Sequence, residues 1–158
     1  ARNWLGPSTA QMPRPRVFLD ANVMFSGIYS ERGAPARLVD GLSLGVLTVV
    51  VSREVLDEVV RNFVAKAPGL LASLDLLLNS AALEIVEDPS PADVARWRPS
   101  LRLGDATILA AAVAAQPDYF VTGDRHFLDN PTVAQKSGLR ILTPSQFLDL
   151  LDKQSPIT

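Results

Sequence analysis

The sequence contains no cysteine and only one histidine, His126. A disulfide is therefore impossible, and a chain of 158 residues must be stabilised by its hydrophobic core, which this length can supply. One histidine cannot form a conventional zinc set of cysteine and histidine ligands. Any bound metal is thus expected to be a hard cation held by oxygen atoms.

Long apolar runs are also absent. No run approaches the roughly 20 residues that a membrane-spanning helix needs, and the N-terminus lacks the apolar segment of a signal peptide. We therefore expect a soluble, cytoplasmic protein with no membrane partner.

Positive charge is scarce as well. The net charge of -2 gives no overall basic signature of the kind that nucleic-acid binders often show. Lysine occurs only at Lys66, Lys136 and Lys153, and the other basic residues are arginines, whose forked guanidinium suits phosphate. A compositional bias of the genome explains the arginines equally well.

The length corresponds to one domain. We expect residues 1–15 to form a flexible N-terminal arm, contributed by a vector or a processed leader. The alternative is a basic arm in which Trp4 and Leu5 anchor a partner. Residues 16–152 are expected to form the folded domain, and residues 153–158 a C-terminal tail.

Short apolar runs alternate with helical periodicities along this domain. Strands are predicted at residues 16–19, 47–51, 83–86, 118–122 and 139–142. Helices are predicted at 35–44, after Ser52, at 70–78, 92–97, from Asp105 and from Pro144. Residues 20–33, which include Gly27 and Gly33, are predicted to form a loop. This alternation indicates a single three-layer α/β domain with a mostly parallel central sheet.

Four carboxylates, Asp20, Glu58, Asp105 and Asp124, lie near the ends of these predicted elements. Asp20 and Asp124 each follow an apolar run, so adjacent strands would bring them to one edge of the sheet, where ligands bind in open α/β folds. A lone acid after a strand is more typical of a helix cap or a solvated loop. Four together repel one another and either take up protons or hold a cation. The sequence therefore predicts a site for Mg²⁺ or Mn²⁺.

Several neighbours could support such a site. Asn22, Ser26 and Thr122 could hydrogen-bond a carboxylate or a water molecule on the metal. Arg125 could hold a substrate phosphate, although a surface position is equally compatible with its sequence context. His126 could also contact phosphate, but a lone histidine in a polar turn is more often solvated.

These motifs together resemble the PIN-domain nucleases, and especially VapC-type toxins of toxin-antitoxin pairs. The resemblance runs from Arg16 to Leu151 and rests on Phe-Leu-Asp-Ala-Asn at Asp20, Ser52 followed by Glu58, Asp105 before Ile-Leu-Ala-Ala-Ala, and Val-Thr-Gly-Asp at Asp124. It implies a metal-dependent endoribonuclease that hydrolyses RNA phosphodiester bonds with a metal-activated water and leaves 5'-phosphate and 3'-hydroxyl ends. It also implies that Asp20, Glu58, Asp105 and Asp124 are catalytic and bind the metal.

The same resemblance implies two kinds of partner: RNA, single-stranded or structured, and a small antitoxin protein. A homodimer is expected because symmetric dimers are the commonest assembly. The leucine-rich helix at 70–78 could provide a surface for either protein contact, or it could pack as a hairpin on Val59, Val60 and Phe63.

Other classes fit less well. A haloacid-dehalogenase-like phosphatase needs a second aspartate where this chain has Asn22, and a receiver domain needs a lysine after a late strand. The remaining alternative is a catalytically inactive PIN-like module that binds RNA or protein. Trp97, between Arg96 and Arg98, could stack on a base, but we expect it to cover an edge of the core.

Overall fold

A computed structural model describes residues 14–154 of the chain. The predicted arm therefore lies almost wholly outside the described residues, together with Trp4, Leu5 and the last four residues of the predicted tail. The division into arm, domain and tail stays a prediction.

The centre of the molecule is a five-stranded sheet. Its strands are β1 (Arg16–Leu19), β2 (Thr48–Ser52), β3 (Leu83–Val86), β4 (Tyr119–Val121) and β5 (Ile141–Leu142). They pair in the order β3-β2-β1-β4-β5, and every pairing is parallel. The central strands are almost entirely apolar and buried, as expected for a parallel sheet covered on both faces. The fold is thus the predicted three-layer α/β domain.

Helices fill the connections between the strands. Within residues 14–154 they are α1 (Ala21–Tyr29), α2 (Ala34–Ser43), α3 (Arg53–Lys66), α4 (Leu71–Leu78), α5 (Pro91–Ala95), α6 (Leu103–Ala115), α7 (Arg125–Leu128), α8 (Pro131–Ser137) and α9 (Pro144–Gln154), with a 3-10 turn at Pro68–Leu70. Within that range, no helix is long and apolar enough to cross a membrane.

The loop predicted over residues 20–33 is wrong, because most of it forms α1. Asp20 caps this helix by accepting a hydrogen bond from the Ala21 N–H at 2.8 Å. Gly27 is a buried helical residue rather than a loop marker. A Cβ atom there would contact Val39 and lie 2.6 Å from the Pro35 carbonyl oxygen, so Gly27 allows α1 and α2 to pack closely.

The segment after Asp124 also differs from the prediction. Residues 125–128 form α7 instead of a polar turn, and residues 131–137 form α8. Asp124 caps the first of these helices and Asn130 the second, through their side-chain oxygens.

Other local predictions are confirmed. The Ser52 hydroxyl accepts a hydrogen bond from Val55 N at 3.2 Å and begins α3. Thr143 and Gln146 form a reciprocal capping box at the start of α9. Trp97 is only 3% exposed and belongs to the core.

The leucine-rich helix α4 divides its leucines between core and solvent. Leu74 and Leu77 are buried, whereas Leu76 is 76% exposed. Val60, one of the three residues on which this helix could pack as a hairpin, is 39% exposed. Val60, Val64 and Leu76 are apolar residues that α3 and α4 leave at the surface.

Candidate metal centre

The site begins where β1 and β4 end side by side. Leu19 pairs with Val121, and Asp20 N donates a hydrogen bond to the Val121 carbonyl at 3.0 Å. Asp20 and Thr122, the next residues on the two strands, therefore lie next to each other. This is the carboxyl edge of the sheet, where open α/β folds bind ligands.

Asp20 is held by several hydrogen bonds. Its Oδ2 accepts from the Thr122 hydroxyl at 2.7 Å and from the Asn22 side-chain amide at 3.2 Å. The pKa of Asp20 is raised to about 6, mainly by burial and to a smaller extent by the charges of Glu58 and Asp124, while the hydrogen bonds from Thr122 and Ala21 oppose the shift. Donors thus orient the carboxylate, and burial disfavours its charged form.

Glu58 reaches the site from the second turn of α3, the helix that begins at the end of β2. Burial raises its pKa, as do the charges of Glu54, Asp105 and Asp124, whereas Arg61 opposes the shift. Since Asp20 also responds to Glu58, these pKa shifts link all four predicted acids into one electrostatic cluster.

Asp105 and Asp124 form the most compact part of the cluster, and His126 joins them. One ligand atom from each of these three residues lies within 4.8 Å of the others. Asp124 Oδ1 accepts from His126 N at 2.8 Å, and Asp124 N donates to the Thr122 hydroxyl at 2.9 Å. Two predicted ligands are therefore grouped with a histidine expected to be solvated.

The supporting residues take different positions. Asn22 bridges the strand ends, because its side-chain oxygen accepts from Gly123 N at 3.0 Å while its amide reaches Asp20. Ser26 and Asn22 line a neighbouring pocket of about 500 Å³ together with Asp124. Arg125 Nη1 lies 2.9 Å from Asp129, and its side chain is 80% exposed.

A second pocket of about 310 Å³ includes Asp105 in its lining. Its lining combines acids with Arg102, Arg125 and His126. Arg102 Nη2 lies 3.7 Å from Asp105 Oδ2, so a positively charged wall adjoins the acidic cluster.

His126 lies in a helix rather than in the polar turn that was predicted, although its side chain is 56% exposed, as expected. The missed signal is Asp124 itself, because aspartate is a preferred N-cap residue and would start a helix at Arg125. In that helix His126 occupies the first turn and is tied to the Asp124 carboxylate.

The donor set fits a divalent cation. Asp105 Oδ2 is buried without a hydrogen-bond partner among the described residues, although His126 Nδ1 and Arg102 Nη2 lie within 4 Å. The raised pKa values of Asp20 and Glu58 show that their charged forms are disfavoured without a cation. An ion near these oxygens would relieve both conditions.

Three solved structures have a fold similar to that of this chain. The chain is similar to VapBC2 from Rickettsia felis bound to a promoter DNA fragment, with TM-score 0.60, 19% identity, and coverage of 80% of this chain and 96% of that one. It is also similar to FitAcB from Neisseria gonorrhoeae, with TM-score 0.56, 19% identity and coverage of 81% and 97%. PAE2754 from Pyrobaculum aerophilum gives TM-score 0.57, 18% identity and coverage of 87% and 90%.

At these identities the likeness concerns the fold. A comparison with curated proteins found no match. A family model described as PIN domain matches residues 16–126, which include every predicted acid of the cluster. Because this match covers more than half of the chain, the protein belongs to the PIN domain family, a family of nucleases.

Proposed function

We propose that this protein is a metal-dependent endoribonuclease and the toxin of a toxin-antitoxin pair. The proposal is supported by the grouping of Asp105 and Asp124, by the position of Asp20 beside Thr122 at the ends of β1 and β4, and by the influence of the Glu58 charge on the pKa of Asp20. Membership of a nuclease family and the resemblance to VapC-type toxins support the choice of RNA hydrolysis.

Asp20, Glu58, Asp105 and Asp124 would hold Mg²⁺ or Mn²⁺. A bound divalent ion would lower the pKa of a water molecule, and its positive charge would stabilise the negative charge of the phosphoryl group. Thr122 and Asn22 fix the orientation of the Asp20 carboxylate through their hydrogen bonds. The Glu58 carboxylate would accept a proton from the attacking water.

The pockets beside the cluster give the substrate two places to bind. Arg125 and Arg102 carry exposed guanidinium groups at the rim of the smaller pocket and would bind phosphates of the RNA strand. Ser26 and Asn22 line the larger pocket together with Asp124. Hydrolysis between these positions would leave a 5'-phosphate and a 3'-hydroxyl.

The test is cleavage of labelled single-stranded and hairpin RNAs by purified protein in Mn²⁺, in Mg²⁺ and in EDTA. We expect cutting with either ion, none in EDTA, and none by an Asp20→Ala variant shown by circular dichroism to be folded. RNA binding and ion binding without cutting by the wild-type protein would contradict the proposal and favour the inactive PIN-like module.

A small antitoxin is proposed as the protein partner. The resemblance to VapC-type toxins supports this proposal. In addition, Val60, Val64 and Leu76 are exposed apolar side chains on α3 and α4 that a partner would cover. Expression of the wild-type chain alone should arrest growth, and co-expression of an adjacent small gene should relieve the arrest. Equal growth with the wild-type chain and the Asp20→Ala variant would contradict the toxin role.

A homodimer is proposed because symmetric dimers are the commonest assembly and because the same apolar side chains are exposed. Light scattering should give twice the mass of one chain. A mass of one chain at micromolar concentration would contradict it.

A further inference from the structure

The imidazole of His126 is positioned between two carboxylates of the site. Its Nδ1 atom lies 3.3 Å from Asp105 Oδ2 and 3.3 Å from Asp124 Oδ1. The backbone N–H of His126 also donates a hydrogen bond to Asp124 Oδ1 at 2.8 Å, so the backbone of His126 is held by the same carboxylate. The ring nitrogen is thus held at the cluster by local structure.

These spacings match neighbouring positions in the coordination shell of a small divalent ion. For an octahedral ion with ligands at about 2.1 Å, adjacent ligand atoms lie roughly 3 Å apart and opposite ones roughly 4 Å. The two contacts of Nδ1 have the first spacing. The three ligand atoms all lie within 4.8 Å of one another, so one ion can reach them with only small adjustments.

Two further observations favour an ion at this position. Asp105 Oδ2 is buried and receives no hydrogen bond from the described residues. Arg102 Nη2 lies 3.5 Å from the same Nδ1 atom. In the tautomer with a lone pair on Nδ1, that lone pair lies beside both carboxylates, and a cation among the three atoms would stabilise the arrangement.

We propose that His126 Nδ1 is a ligand of the metal ion, together with Asp105 and Asp124, and that it shifts the ion preference of the site towards Mn²⁺ over Mg²⁺. The inference rests on the proposed metal-dependent function. Imidazole suits transition metals, whereas Mg²⁺ prefers oxygen ligands. The expectation of a site held by oxygen alone is thereby replaced by a mixed site of oxygen and nitrogen.

The test is pulsed electron paramagnetic resonance of the Mn²⁺-loaded full chain, prepared without a histidine tag. Because His126 is the only histidine in the sequence, a directly bound imidazole nitrogen can come only from this residue. We expect ¹⁴N coupling in the wild-type protein and its replacement by ¹⁵N coupling when histidine alone is labelled. This labelled sample is a matched control that needs no substitution.

A binding titration supplies the second measurement. His126→Asn should weaken Mn²⁺ binding by about tenfold or more, with a smaller effect on Mg²⁺, so that the preference for Mn²⁺ falls. Bound Mn²⁺ without nitrogen coupling would overturn the role of His126 and leave the proposed function intact. Failure of the folded wild-type protein to bind Mn²⁺ would overturn both, and an unchanged Mn²⁺ preference in the variant would overturn the shift in selectivity.

Discussion

One hydroxyl group organises the acids at the ends of β1 and β4. Thr122 is fully buried, donates to Asp20 Oδ2 at 2.7 Å and accepts from Asp124 N at 2.9 Å. It therefore fixes the position of one carboxylate and of the backbone that carries another. A side chain of the same shape without the hydroxyl would leave both groups without this partner.

Thr122→Val is accordingly expected to lower the free energy of unfolding by about 1–3 kcal/mol, the cost of leaving buried polar groups unsatisfied. Urea denaturation of the metal-free protein measures this. Thr107→Val, which removes only a hydroxyl bonded to the Leu103 carbonyl within α6, is the matched control and should change stability less. Equal effects of the two substitutions would contradict the role assigned to Thr122.

The raised pKa of Asp20 predicts how the stability of the metal-free protein depends on pH. Its pKa is about 6 in the folded state, mainly through burial, against 3.8 for the ordinary side chain. Between these values the folded state binds more protons than the unfolded state, so stability falls as pH rises from about 4 to 6. The loss from this residue amounts to about 3 kcal/mol.

Asp20→Asn should remove this component. Free energies of unfolding measured in EDTA at pH 4, 5, 6 and 7 should decline more steeply for the wild-type protein than for the variant. Parallel curves for the two proteins would show that Asp20 ionises normally and would contradict the burial argument.

The acids of the site were predictable from the sequence, but their exact grouping was not. Asp20 and Asp124 follow apolar runs, so strand pairing alone predicts that they meet. The contribution of His126 depends on α7, whose four residues are too short to show helical periodicity. The position of His126 is determined by the Asp124 cap of α7 rather than by a periodic pattern of apolar residues.

At the scale of elements, α1 and α2 pack closely enough that only glycine fits at the contact. Gly27 faces Val39 and the Pro35 carbonyl. Gly104, in the first turn of α6, has open space instead. Both glycines are helical with ordinary backbone angles, so alanine would test packing alone.

Gly27→Ala should destabilise the protein by about 1–3 kcal/mol, because crowding outweighs the gain in helix propensity. Gly104→Ala should be neutral or stabilising by up to about 1 kcal/mol. Thermal and urea unfolding of the two variants provide the comparison. Stabilisation by Gly27→Ala would mean that α1 and α2 are packed less closely than described.

The elements that were predicted correctly carry strong local signals. β2 contains three consecutive buried valines, and the starts of α3 and α9 have capping residues that make the expected hydrogen bonds. α1 was missed because its first residues follow a strand directly and Gly27 lowers its helical propensity. Its formation depends on tertiary packing against α2, which no local pattern contains.

At the scale of the whole molecule, parallel topology creates the site. β1 lies between β2 and β4, so residues far apart in sequence meet at one edge of the sheet. Glu58 enters from the helix after β2, and Asp105 from a helix that contacts both β2 and α3. Each acid therefore depends on a different element, and the loss of any one should disable the site without unfolding the domain.

The most direct test of this account uses two neighbouring acids on α3. Glu58 is partly buried and its pKa is raised in part by the charges of Asp105 and Asp124, whereas Asp57 is exposed. Mn²⁺-dependent RNA cleavage should fall by about 100-fold or more in Glu58→Gln, in line with loss of a general base. It should be nearly unchanged in Asp57→Asn, with both variants folded. Equal rates for Glu58→Gln and the wild-type protein would contradict a catalytic centre built from these four carboxylates.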